Sequence, residues 1–248
     1  MGLVLDTMVE QQKGSAEDST PEYMFQRPAL EPTDSLAHAV GLPVRRTGLI
    51  KSAFRPSDDA TTYRFLVPAN AYAVVSLRKL AVLLRIDALR SPTREVLALR
   101  AESLAKEVQA AIEEHAVVDH PKHGRVYAYE VDGYGNVLFM DDANVPSLLS
   151  LPYLGFVDAS DLTYKRTRAM LLDEESNPWC LSAQRFSWST NVFCIELLNF
   201  RIVRTVDQGS HFPEQVQQRR RGDWRHWRPA HRLWVHLANV VDHAGADL

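Results

Sequence analysis

Cysteine is scarce. Cys180 and Cys194 are the two in a chain of 248 residues, too few for a disulfide framework and without the paired spacing of a zinc site. They leave the redox compartment undetermined. Basic charge is not in excess either. The net charge is −3, so nothing in the whole-chain balance calls for nucleic acid or an anionic membrane as partner. No uninterrupted apolar run reaches membrane-spanning length. The opening, MGLVLDTMVEQQKGSAEDST, lacks the basic start and apolar centre of a signal peptide. Gly2 also lacks the Ser or Thr that N-myristoylation wants four residues on. Localisation is therefore open. Tryptophan is missing from everything before Pro178: all five tryptophans follow it, as do both cysteines and five of the nine histidines. That asymmetry divides the chain into 1–178 and 179–248, parts of different origin or role.

Against these absences stands one dense block, Tyr127–Gly155 (YAYEVDGYGNVLFMDDANVPSLLSLPYLG). It interleaves Glu130, Asp132, Asp141, Asp142 and Asn144 with aromatic and apolar residues. A solvated loop would not carry so many large apolar side chains. A plain core segment would not carry so many acids, because unpaired carboxylates are costly to bury. The mixture suits a pocket for a polar, ring-shaped ligand such as a sugar.

The first part reads as helices joined by motif-bearing loops. The opening residues suggest an amphipathic helix with Leu3, Leu5, Met8 and Val9 as its apolar set, stopped by Gly14. Asn70–Arg85 carries Val74, Val75, Leu77, Leu80, Ala81 and Leu84 at helical spacing. Ser91-Pro92 opens a second helix to about Glu114, with Val96, Leu97, Leu99, Leu104, Val108 and Ile112 as its apolar residues. Val126–Val131, ending in Asp132-Gly133, predicts a short strand or hairpin. Asp141 and Asp142 offer N-caps for a short helix through Ser147–Leu151, and Ser160 or Asp161 for one through Leu172. The expected class is all-α: helices paired by short loops in a stack or an α/α barrel, with a short β-hairpin.

Phe54-Arg55-Pro56-Ser57-Asp58-Asp59 is the second acidic constellation. Spacing alone favours a helix N-cap at Ser57 or Asp58. The functional reading makes one aspartate a general acid or nucleophile, with Arg55 positioning a neighbour. Adjacent acids point in different directions, so a catalytic pair would draw its second member from elsewhere in the chain. Oxygen ligands at Asp141, Asp142 and Asn144 would suit calcium or magnesium, but no EF-hand spacing is present and no metal or cofactor is expected. His115, His120 and His123, near a turn at Pro121, read as surface residues. Gly133-x-Gly135 reads as a turn and not a dinucleotide loop.

Three blocks together resemble glycoside hydrolase family 125, the exo-α-1,6-mannosidases: TGLIKSAFRPSDDATTYRFLVPAN (Thr47–Asn70), Tyr127–Gly155, and the TRxMLL–NP stretch (Thr167–Pro178), with YMFQRP (Tyr23–Pro28) also in place. The likeness runs over 1–178 and is greatest to fungal-looking members. It implies part of an (α/α)6 barrel, a mannose-containing glycan as partner, and an enzyme that inverts stereochemistry. Inversion needs a general acid on the leaving oxygen and a general base on a water opposite. The resemblance places the acid at Asp58 or Asp59, and Arg55, Glu130, Asp132, Asp141, Asp142 and Asn144 at the sugar pocket. The family's base lies in a HESF-like block that this sequence lacks, as it lacks the early G-D-x-x-x-x-W-L-R-D block. The resemblance therefore implies an incomplete and inactive enzyme. The alternative is a non-catalytic carbohydrate-binding or interaction protein that keeps the sugar pocket.

The Arg/Trp-rich stretch Gln217–Arg232 could be read as an RNA-binding arm. A different explanation is preferred. Back-translated and read one nucleotide later, Arg225–Leu248 permits G-I-G-G-P-H-I-G-Y-G-F-T-W-P-M-S-S-I-M-R-A-L-T, the block that follows NP in the family. Residues 179–248 are thus expected to be a frame-shifted or intron-derived tail, poorly ordered. Arg185–Leu198 (RFSWSTNVFCIELL) resembles a closing family block but stands in the wrong order. Sequencing the genomic DNA checks the explanation: frame +1 across the last coding segment should read G-I-G-G-P-H, and any other reading abandons it.

Overall fold

The computed structural model describes residues 1–17, 34–86 and 91–173. All of these lie in one compact unit, Met1–Arg204. The proposed division at 178/179, the tail, YMFQRP and Arg185–Leu198 fall outside the described residues.

The described residues are helix-rich with a few short strands. Helix α1 spans Gly2–Glu10, α2 Val67–Leu84, α3 Pro92–His115, α4 Leu151–Leu154 and α5 Leu162–Leu171. Strands β1 (Phe65–Leu66), β4 (Glu130–Val131) and β5 (Val137–Leu138) form one antiparallel sheet in the order β1-β4-β5. Strands β2 (Val117–His120) and β3 (Gly124–Tyr127) form a separate hairpin. Where the sequence suggested a single hairpin, there are two small sheets.

Helices α2 and α3 are the centre of the core. They run antiparallel: Arg85 at the end of α2 pairs with Glu95 and Glu102 in the first half of α3, while Arg78, two turns earlier in α2, bonds Gln109, two turns further along α3. Pro68 sits in the first turn of α2, where its missing N–H costs nothing, so α2 begins at Val67 and not at Asn70. Its buried face is Val67, Ala71, Val74, Val75, Leu77, Ala81 and Leu84, with Leu80 half-buried. By length and composition α2 is also apolar enough to cross a membrane, but half of it is buried in the core. Ser91 caps α3 by accepting from the Arg94 N–H.

The face that α3 presents differs from the expected one. Ala98, Ala101, Ala105 and Ala111 are buried together with Leu104, Val108 and Ile112, whereas Val96 and Leu99 are 57% and 54% exposed. Small side chains at that spacing let the two helix axes approach closely, and their contribution is easily overlooked beside larger neighbours. In α1 the same correction applies. Leu5 is buried and Met8 packs on the core, but Leu3 and Val9 face outward. Together with Val82 and Leu83 of α2, these leave large apolar residues exposed on three helices.

Helix α5 is capped by Asp161, which accepts from the Tyr164 N–H. It docks on the hairpin and on the acidic block at once. Thr167 Oγ1 accepts from the Tyr127 N–H at 2.8 Å, and the Tyr164 hydroxyl donates to the Leu149 carbonyl at 3.1 Å.

One buried amide ties the segment before β1 to the helix pair. Asn70 Oδ1 accepts from the Ile50 N–H at 2.8 Å, and its Nδ2 donates to the Ile50 and Leu66 carbonyls at 3.0 and 2.9 Å. Removing it strands three backbone groups, and each buried orphan costs about 1–3 kcal/mol. Asn70→Ala should lower the unfolding free energy by about 3 kcal/mol, measured by urea denaturation. A loss below about 0.5 kcal/mol would show that water replaces the amide at no cost.

Candidate functional site

The Arg55–Asp59 segment is a closed loop and not the start of a helix. An isolated antiparallel bridge joins Phe54 to Ala60. Inside it the Arg55 N–H donates to the Asp59 carbonyl at 2.7 Å, and the Asp58 N–H to the Arg55 carbonyl at 3.0 Å. Asp58 closes the turn with φ of 71°, a left-handed conformation that Asp adopts more readily than most residues. The N-cap reading of Ser57 or Asp58 is therefore replaced, because the next helix begins only at Val67. Ser57 Oγ instead donates to Asp59 Oδ2 at 2.9 Å. Asp58 is exposed and Asp59 half-buried.

The acidic block clamps this loop from two sides. Glu130, on β4, has no exposed surface. Its Oε1 accepts from Arg55 Nε at 2.6 Å, and its Oε2 from the Thr62 and Tyr63 N–H groups at 2.9 and 3.0 Å. A cation and two backbone donors around a buried carboxyl offset the cost of burying it. Burial works against the Arg55 charge, but the Glu130 hydrogen bond and charge outweigh it, so the guanidinium is held more firmly protonated than usual. The second clamp is Asp142. Its Oδ2 accepts from the Ser57 N–H at 3.2 Å, and its Oδ1 from the backbone and side-chain nitrogens of Asn144 at 2.8 and 3.1 Å. Asn144 is exposed beside it.

Asp141 faces the other way. Its two oxygens accept the Leu148 and Leu149 N–H groups at 2.7 and 2.9 Å. It thus caps the turn before α4. The helix expected through Ser147–Leu151 is instead Leu151–Leu154, with Ser150 at its N-cap position. Asp132 turns back on its own hairpin. Oδ1 accepts from the Tyr134 and Asn136 N–H groups at 2.8 and 3.1 Å, and Oδ2 from Asn136 Nδ2 at 2.6 Å. Gly133, at φ of 79°, lets that turn approach the Arg45 carbonyl, which a Cβ would meet at 2.7 Å.

The structure therefore joins Arg55, Ser57, Asp59, Glu130, Asp142 and Asn144 in one hydrogen-bonded constellation, with Asp141 next to it and Asp132 engaged in its own turn. Sequence reasoning missed Tyr129. Its ring lies 5.7 Å from the Arg55 guanidinium carbon, and its buried hydroxyl has no hydrogen-bond partner among the described residues. Burial, then the charges of Asp142 and Asp141, push that phenol above its ordinary range. Tyr129 lies between β3 and β4 in a run, 126–132, that is buried throughout, so alternation along a strand gives no signal for it. Among the described residues no cluster of three or more His, Cys, Asp or Glu could hold a metal ion. His120 and His123 are half-buried and not plain surface residues. Their rings lie 5.1 Å apart, His120 stands edge-on to Phe139 at 5.2 Å, and His123 Nε2 lies 3.3 Å from Asp173.

Burial pushes the Asp141 carboxyl from the usual 3.8 to about 7, the Asp142 charge adding to the effect, against the Leu149, Leu148 and Asp142 backbone N–H groups that favour the charged form. A raised folded-state value means that Asp141 contributes stability fully below its unfolded value, near 3.8, and loses it as pH rises through about 7. Unfolding measured between these limits should show a falling stability that is flatter in Asp141→Asn. Equal slopes in the two proteins would exclude an abnormal Asp141.

The family of metal-independent alpha-mannosidases (GH125) matches residues 1–189. The meiotically up-regulated gene 157 protein of Schizosaccharomyces pombe is 45% identical over 191 residues, which are 74% of this chain and 36% of that protein. A metal-independent alpha mannosidase of Streptococcus pneumoniae, solved in a non-productive complex with alpha-1,6-mannobiose, superposes with a TM-score of 0.65 at 36% identity. That likeness covers 72% of this chain and 40% of the bacterial one, so the chain spans well under half of either relative. The chain belongs to glycoside hydrolase family 125, the metal-independent alpha-mannosidases.

Proposed function

We propose that this chain carries the acid-bearing wall of an inverting exo-α-1,6-mannosidase that removes terminal mannose from a glycan. Asp58 or Asp59 is the general acid, protonating the glycosidic oxygen as the bond to the leaving sugar breaks. Asn144 meets sugar hydroxyls. Arg55, Glu130, Asp132, Asp141 and Asp142 shape the wall, Glu130 and Asp142 through the loop they hold. The helices contribute part of an (α/α)6 barrel, residues 1–178 forming that part and 179–248 a frame-shifted tail. One observation carries the reading. The two acidic blocks, whose clamping contacts join residues 75 and 85 apart in sequence, meet at a single loop with two aspartates on it. The bacterial relative's mannobiose complex supports the sugar class.

An inverting reaction also needs a base to take a proton from the attacking water. No HESF-like block stands in the sequence to supply one. Turnover by this chain alone is therefore negligible, and the absence of a base leaves room for the second reading, a carbohydrate-binding protein.

Calorimetry and mannose release with α-1,6-mannobiose test both. This chain should bind the disaccharide without releasing mannose. The same coding sequence extended in the restored frame should release β-mannose as the first product seen by NMR. There, replacing the true acid, by Asp58→Asn or Asp59→Asn, should lower kcat by about 10²–10⁴-fold. Release of α-mannose would rule out inversion. Binding that persists with no turnover in the extended protein would favour the binding protein.

A further inference from the structure

The β2–β3 turn carries a histidine that the sugar wall does not use. His120 ends β2 and stands opposite Gly124, which starts β3, so Pro121–His123 is the turn between them. His120 Nδ1 accepts from the Lys122 and His123 N–H groups, each at 3.3 Å. An imidazole nitrogen accepts only when it carries no proton, so in this arrangement His120 is neutral with its hydrogen on Nε2. Its ring meets two others, the His123 ring at 5.1 Å and the edge-on Phe139 ring at 5.2 Å.

Charged groups reach this turn from several elements. Asp173, just past α5, accepts from Lys122 Nζ at 2.7 Å and lies 3.3 Å from His123 Nε2, both at the same oxygen. Arg166 of α5 lies against the far end of the turn, where a Cβ on Gly124 would meet its Nη1 at 3.6 Å. Asp119 and Arg125 are paired across the next rung of the hairpin. From the β5 side comes Phe139, which has no charge. Asp173 is thus shared with Lys122 and His123, and a proton on His120 would add a cation beside them. Burial, then the His123 charge, push His120 below the usual 6.5, with Lys122 adding to the effect and Asp173 opposing it.

We infer that the β2–β3 turn is an acid-opened latch: neutral His120 holds it closed by accepting the Lys122 and His123 N–H groups, and protonation of His120 releases it. The proton converts Nδ1 from acceptor to donor. Both turn bonds are lost at once, and the new N–H points at two others. Opening reaches other elements, because β3 docks on α5 through the Tyr127 N–H and Thr167, and Phe139 stands just ahead of Asp141 and Asp142 in the chain. A lowered folded-state value means that the His120 contribution is complete above 6.5 and is lost as pH falls through the folded value. Asp141 acts in the opposite direction, losing its contribution as pH rises, so the two effects are separable by sign. The latch stands whichever aspartate serves as acid.

Nitrogen and amide NMR of this chain between about pH 8 and 5 tests it. The His120 nitrogen shifts should report the Nε2–H tautomer at the upper limit and a midpoint below 6.5. Hydrogen-exchange protection of the Lys122 and His123 amides, corrected for the intrinsic pH dependence, should fall by about tenfold across the range, as two ordinary hydrogen bonds are lost. The Ile50 amide, bonded to Asn70, serves as the internal reference. His120→Asn keeps an acceptor in a similar place but does not titrate, so protection there should be flat, whereas the fall should persist in His123→Gln. An Nδ1–H tautomer, a midpoint at or above 6.5, unchanged protection, or a fall shared by Ile50 overturns the latch. So does an equal fall in His120→Asn, or one that disappears in His123→Gln alone. The tautomer and the midpoint are read in the unaltered chain, so they decide the matter even where a variant fails to fold.

Discussion

A carboxyl group with no exposed surface is costly to bury unless a cation and donors converge on it, and around Glu130 three groups do. Taking any one of them away would leave a charge buried without compensation, which costs more than the contact itself was worth. The junction therefore fixes three pieces of chain to each other. Glu130 lies opposite Leu66 in the β1–β4 pair, β1 runs directly into α2, and the Val67 N–H donates to the Tyr129 carbonyl at 2.9 Å. The Arg55 loop is thereby referenced to the start of the longest-buried helix pair and not merely to its own bridge.

The other acids of the block divide the remaining work. Asp142 fastens the far side of the loop at Ser57, Asp141 caps the turn that α5 grips through Tyr164, and Asp132 closes the β4–β5 hairpin. Four carboxylates that look alike in sequence thus differ in what they hold. Asp141, half-buried at the turn it caps, has its proton affinity raised toward neutrality. A wall made this way holds Asp58 and Asp59 on a loop fastened at both ends, the arrangement the proposed proton donor would need if it is to meet a glycosidic oxygen in one orientation.

Much of the helical framework was legible. Pro92 marks the start of α3, Ser91 and Asp161 cap where a cap was expected, and α2 follows its apolar periodicity although it begins at Val67 and not at Asn70. The buried face of α3 was misjudged because alanine carries little hydrophobic signal, yet it is what a close helix pair selects. The Ser57–Asp59 run matched an N-cap, and only the left-handed Asp58 and the bridge from Phe54 to Ala60 show that the chain turns back there. Tyr129, in the connection between β3 and β4, carried no sequence mark, since a hydroxyl without a partner among the described residues is a property of its surroundings.

The sequence by itself determined the family, through the order and length of blocks that no short motif could mimic, and it determined which residues carry charge. The tertiary structure alone decided which carboxylates meet. A carboxylate's role depends on the donors within about 3 Å of each oxygen. Those donors come from Arg55, Ser57, Thr62 and Tyr63, far from Glu130 and Asp142 along the chain. Local spacing is blind to such pairings, because it is the packing of β4 on β1 that brings the groups together.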